Sequence, residues 1–270
     1  MADGTGETRP AAPLRAAPWR TIGALTVAFV VVMGASQTLG LVANRQTTEE
    51  KTYEHVVVRK LQLATGSASV RVRAGREGRV VVRRNLNYTF RAPQVSTAVE
   101  GDVLVVGVAC RQPLPFFGCG AEIELDVPRG TEVSGSVDSG SVDVADLSGE
   151  VRLDATSGAL YLHRLSGEVH TKTTSGMVQG TELTSARVEA SSTSGSVELD
   201  FTKAPHAVDL STVSGSATMT VPKDSRYAFS GQVGSGSRSI DPTLADASSP
   251  DSLHASVVSG SLRIGYREDD

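Results

Sequence analysis

The sequence predicts an all-β chain: a β-solenoid or β-helix-like stack of Ser-Gly repeats, preceded by an antiparallel β module and one N-terminal transmembrane helix. Three observations carry that prediction. Ser-Gly pairs recur through the C-terminal half at nearly constant spacing, valines alternate with charged residues further upstream, and a 24-residue stretch near the N-terminus holds no charge. Composition agrees. The 270 residues include 27 glycines, two cysteines, one tryptophan and only 4% aromatics, with a net charge of −4. Abundant valine, serine and glycine suit short strands and tight turns. The charge balance argues against a dedicated nucleic-acid binder, which is usually strongly basic. Two cysteines are too few for a four-thiolate zinc site.

The uncharged stretch, 21–44, lies between Arg20 and Arg45. A bilayer core needs about 20 predominantly apolar residues in a helix, so this segment is long enough to span. Its first half, 22–33, is strongly apolar; its second half contains Gly34, Ser36, Gln37, Thr38 and Gly40. Three outcomes stay open. The segment is retained as a signal anchor, it is cleaved near the small-residue triplet Gly34-Ala35-Ser36 and the rest is secreted, or it is a buried helix of a soluble protein. Basic residues flank it on both sides (Arg9, Arg15 and Arg20; Arg45, Lys51, Arg59 and Lys60), so charge alone does not orient it. A strand-rich exported part with a closely spaced cysteine pair fits an oxidising compartment. The expectation is a disordered cytoplasmic tail over 1–20, rich in Pro10, Pro13 and Pro18, and an extracellular C-terminal β domain.

Residues 45–130 are expected to form the antiparallel module. In Ser69-Val70-Arg71-Val72-Arg73 the valines and arginines take opposite faces of a strand. A Gly-containing turn over 74–78 leads to Arg79-Val80-Val81-Val82-Arg83, which reads as a hairpin. A second hairpin is expected over 95–108, turning at Glu100-Gly101-Asp102, and a further strand over 121–127 stops at Pro128. Cys110 and Cys119 bracket a Pro-rich loop carrying Phe116 and Phe117, either a core anchor or an exposed tip. A structural disulfide there would contribute about 2–3 kcal/mol. The eight-residue separation does not match a redox-active CxxC pair. Arg71, Arg73, Arg79 and Arg83 form either a solvated strand face or a basic contact face for anionic polymer or headgroups. The latter would be worth about 1 kcal/mol per basic residue. Residues 45–128 carry 12 basic side chains against 9 acidic, whereas 129–270 carry 11 against 19.

Residues 131–266 hold the repeat. Ser-Gly begins at Ser139, Ser157, Ser175, Ser194, Ser214, Ser235 and Ser259, in steps that grow from 18 to 24 residues. Apolar residues fall into matching slots. Val142, Leu160, Val178, Val197 and Leu262 share one; Val144, Leu162, Leu199, Met219 and Ile264 a second. Leu147, Leu165 and Leu183 share a third, and Val151, Val169, Val188 and Val208 a fourth. Stacked coils would align equal slots into interior columns, burying a face that no coil can bury alone. Gly140, Gly158, Gly176, Gly195, Gly215, Gly236 and Gly260 are therefore read as structural turns, favoured where φ is positive. Residues 241–253 interrupt the pattern as an end cap or edge loop, and 267–270 form an acidic tail.

No GxSxG elbow, phosphate-binding GxxxxGK[ST] loop or HExxH pair occurs. No catalytic, metal-binding or cofactor-binding residue is predicted, and the chain is not expected to be an enzyme. From about 55 to 266 it resembles the bacterial putative-adhesin family of β-strand repeats, a domain of unknown function. The matching pieces are the Cys110–Cys119 loop, the strand ending at Pro128-Arg129-Gly130-Thr131, the Ser-Gly ladder and the stretch 226–237. That resemblance implies an all-β fold on the bacterial cell surface and no catalytic residues. The expectation is a membrane-anchored, non-enzymatic envelope protein presenting a surface for adhesion or scaffolding. Its partners would be the membrane and a cell-wall polymer or another envelope protein, with self-association by end-to-end stacking open. The alternative is an extracytoplasmic partner or sensor module of a membrane signalling system.

Overall fold

The structure, a computed structural model, describes residues 26–27, 45–88, 92–109 and 119–267. Contacts divide the chain between 44 and 45, and Arg45–Asp270 is a unit by itself. The expected tail and membrane segment lie outside the described residues, apart from Thr26 and Val27. So does Cys110 with the loop through Gly118, and with it the expected disulfide. Among the described residues no helix is long and apolar enough to cross a membrane.

Seventeen strands among the described residues form one hydrogen-bonded sheet. They are β1 (Arg45–Glu54), β2 (Lys60–Ala64), β3 (Ser69–Ala74), β4 (Arg79–Tyr88), β5 (Gln94–Glu100), β6 (Val103–Ala109), β7 (Cys119–Val127), β8 (Glu132–Val137), β9 (Ser141–Ala145), β10 (Val151–Ala155), β11 (Ala159–His163), β12 (Val169–Thr173), β13 (Met177–Leu183), β14 (Arg187–Phe201), β15 (Ala207–Val221), β16 (Ala228–Ile240) and β17 (Ser252–Tyr266). A 3-10 turn, Pro242–Leu244, interrupts the last connection.

The strands stack in two parallel ladders. The first runs β6–β2–β8–β10–β12 and continues through the first halves of β14, β15, β17 and β16. The second runs β7–β3–β9–β11–β13 and continues through the second halves of the same four long strands. Each coil thus contributes one strand to each ladder. In the long strands the chain passes from one ladder to the other at Ser-Gly-Ser without a break in the strand. Inward side chains from both ladders merge into one aliphatic cluster, so the ladders share a single interior.

The predicted slots are physical columns. Val142 is in register with Leu160, Leu160 with Val178, and Val178 with Val197. Val151, Val169, Val188 and Val208 align likewise, and all these residues are buried. The second slot has a gap at Gly180, where the register shifts before Leu183. A Cβ on Gly180 would run into the side chains of Leu183 and Leu199, which fill the space an aliphatic residue holds in neighbouring coils.

Two features differ from the expected module. The hairpin over 69–83 is not formed, because β7 lies between β3 and β4. Alternation fixed the buried face of β3 but not its partner. Val70 and Val72 extend the Val142 and Val144 columns, and that burial holds β3 in parallel register with β9. The sheet therefore runs without a break across residue 130, with β2 and β3 forming a coil of the stack. Antiparallel pairing is confined to one end: β5 on β6, β4 on β7 and β1 on β4. The 95–108 hairpin is the β5–β6 pair, turning at Gly101 with φ 64°.

Candidate functional site

The Ser-Gly corners are held together along the stack. Ser157, Ser175 and Ser194 each donate a backbone N–H to the preceding coil, accepted by Asp138, Thr156 and Thr174. A Cβ on Gly158 would crowd the carbonyl oxygen of Gly140; one on Gly176 that of Gly158, one on Gly195 that of Gly176, and one on Gly215 that of Gly195. The expected positive φ holds only in the long-strand coils, at Gly215, Gly236 and Gly260. In the earlier coils it is the close approach of the next backbone that excludes a side chain. Positive φ falls instead on Asp146, Arg164 and Glu182, which occupy one corner of successive coils. There Arg164 donates to Asp146 at 2.7 and 3.0 Å and lies 3.9 Å from Glu182. The hydrogen bonds from Arg164 hold the Asp146 carboxyl below its usual range.

Of the predicted basic face, Arg71 and Arg73 lie on β3, Arg79 and Arg83 on β4, and acidic β7 lies between them. Arg71 contacts Glu122 at 2.6 Å and Glu124 at 3.4 Å; Arg83 contacts Asp126 at 3.0 Å and Glu50 at 3.1 Å. One outward row therefore reads Glu50–Arg83–Glu124–Arg71–Asp143 across five neighbouring strands. Its charge is mixed rather than basic, because the interposed strand supplies the counter-charges.

Beside this row lies a basin of about 460 Å3. Ser69, Gly120 and Ser141 contribute small residues to its lining beside the longer Arg71 and Glu122. Gln46, Asn85 and Asn87 line it from β1 and β4, and Asp143 and Tyr161 from β9 and β11. Asp143 Oδ1 is buried without a hydrogen-bond partner, and His163 Nε2 stands 3.8 Å from it. Sequence periodicity did not single out these residues, because the strands that carry them are distant in the chain.

The outer face of the first ladder carries a second cluster. His170 lies 3.4 Å from Glu150, 3.9 Å from Glu168 and 3.1 Å from Glu189. Among the described residues, Glu150, Glu168 and His170 are close enough to share a cation. Arg152 and Arg187 already engage those two carboxylates, which makes the cluster a salt-bridge network. Further along, Ser230 Oγ is 3.0 Å from His254 Nδ1, and Asp209 is next in register.

These features define a protein of stacked parallel coils with an aliphatic interior and long polar outer faces. The chain belongs to the Toastrack DUF4097 family, whose model matches residues 121–264. Among solved structures it is similar to a putative cell adhesion protein from Clostridium sporogenes, at 14% identity and a TM-score of 0.39, covering 83% of this chain and 100% of that one. It is also similar to a putative adhesin from Bacteroides fragilis, at 14% identity and a TM-score of 0.41, covering 82% and 97%. A putative adhesin from Parabacteroides merdae matches at 12% identity and a TM-score of 0.45, covering 82% and 96%. Among curated proteins none matches the chain.

Proposed function

We propose that this is a non-enzymatic protein of the bacterial cell envelope, whose outer faces bind or scaffold a wall polymer or another envelope component. In this reading 21–44 anchors the chain in the membrane and the β unit lies outside. The observation that carries it is the division of labour within the stacked strands, the edge strand β16 excepted. Inward positions are filled by stacked aliphatic residues, whereas outward positions form rows of polar side chains running across many coils. Such rows offer an extended surface rather than an enclosed reaction chamber.

Cell fractionation with protease shaving tests both parts. The expected result is recovery of the full chain with membranes, loss of the β unit when intact cells are treated with protease, and cosedimentation with purified sacculi or an envelope protein. Recovery in the soluble cytosol, protected from protease, overturns the reading.

A further inference from the structure

We propose that the basin on the outer face of the second ladder is a binding site for a neutral oligosaccharide. The proposal rests on the reading of the outer faces as binding surfaces and gives one of them a ligand class. Four observations support it.

First, the basin gathers polar groups that the protein leaves unused. The side-chain amides of Gln46, Asn85 and Asn87 have no hydrogen-bond partner among the described residues, and all three are exposed. Each amide offers both donors and an acceptor, the combination that vicinal hydroxyls require. Second, Asp143 Oδ1 is buried and unpartnered in the same basin. The Asp143 side chain as a whole is 26% exposed, so its carboxylate still borders the basin and can accept from a hydroxyl placed there. Third, Tyr161 is in register with Asp143, so a half-buried aromatic side chain stands next to the polar groups. One aromatic ring and several planar polar groups suit a pyranose, which has an apolar C–H face and a polar rim. Fourth, the charge is nearly balanced. Arg71 is committed to Glu122 at 2.6 Å, which leaves Asp143 as the charge without a counter-ion at hydrogen-bond distance. That carboxylate would repel an acidic sugar, whereas the hydroxyl of a neutral one could donate to it.

The basin also runs across the strands. Asn85 is in register with Glu122, Glu122 with Ser69 and Ser69 with Ser141. Neighbouring strands are about 4.8 Å apart, close to the advance per residue of an extended pyranose chain. A short linear oligosaccharide laid along this row would meet one strand per sugar.

The test is saturation-transfer NMR on the full chain in phospholipid nanodiscs, which contain no sugar headgroups. The probes are N-acetylated chitotetraose and cellotetraose, with tetragalacturonate as the acidic comparator. The expected result is transfer to at least one neutral tetrasaccharide, weak or no transfer to tetragalacturonate, and affinity weakened about tenfold by Tyr161→Ala or Asn85→Leu. Both variants change outward-facing side chains, and an unchanged melting temperature confirms that they fold. Absence of transfer to both neutral probes overturns the proposal, as does transfer unaffected by either variant or stronger transfer to tetragalacturonate. If sacculus or envelope-protein binding persists in both variants while these probes fail, the basin assignment is wrong and the surface-binding reading stands.

Discussion

Val142 shows how much a single position carries in this fold. It is 1% exposed, with Val70 and Leu160 in register on either side. An aspartate there would bury an unpaired charge among aliphatic neighbours, or force the coil apart to hydrate it. Val142→Asp is expected to cost on the order of 4 kcal/mol and to lower the melting temperature sharply. An unchanged melt would mean that the column does not exist. Tyr227 gives a second case, readable through pH. It is 1% exposed, its hydroxyl has no hydrogen-bond partner, and burial pushes its phenol up to about 12. Between pH 10 and 12 the unfolded chain loses a proton that the folded chain keeps, so stability is intact below pH 10 and falls as pH rises through that window. Tyr227→Phe should remove that alkaline loss, about 1.4 kcal/mol at pH 11, and cost little at neutral pH. Denaturant melts of both proteins at pH 7 and pH 11 measure the difference.

At the scale of the strand and its corner, close backbone approach is the controlling constraint. Gly215 has φ 153°, and a Cβ there would overlap the Gly195 carbonyl, whereas a Cβ on Gly265 meets nothing within 4 Å. Gly215→Ala should therefore destabilise by about 3 kcal/mol or more, because the obstruction is backbone that cannot turn aside. Gly265→Ala, in the last strand, should be neutral within about 0.5 kcal/mol. Equal melting temperatures for the two variants would refute the close-approach account. The contrast also marks what the sequence made legible. Corner glycines and aliphatic slots recur with the coil, so their alignment could be read directly, although the reason for most of the glycines could not. Partner choice left no local trace. Alternation in Ser69–Ala74 looks the same whether β3 pairs with β4 or with β7 and β9. The basin was hidden for the same reason: Asn85, Glu122, Ser69 and Asp143 meet only through that partner choice.

At the scale of the molecule, the end of the stack does not follow the order of the chain. The last strand, β17, lies between β15 and β16, so β16 is laid down one position further out and the connection 241–251 returns the chain to the gap. That connection, which the sequence marked only as an interruption, is pinned. Asp241 caps the 3-10 turn, Leu244 is buried, and the Tyr227 N–H donates to the Leu244 carbonyl at 2.8 Å. At the outer edge, Arg238 takes the position in register with Leu262 and lies 5.0 Å over the Phe229 ring. A charge on the inward side of an edge strand discourages another copy from continuing the stack. Elsewhere a stack of coils is held by nearest-neighbour contacts, and loss should propagate only as far as those contacts are broken. Deleting 252–270 removes the one strand that β16 pairs with in either ladder. The truncated chain is expected to lose amide protection throughout β15 and β16 while β8 to β12 keep theirs, as read by hydrogen exchange. Loss of protection across all coils at once would show instead that the inserted strand locks the entire stack, and that the molecule folds as one cooperative unit rather than coil by coil.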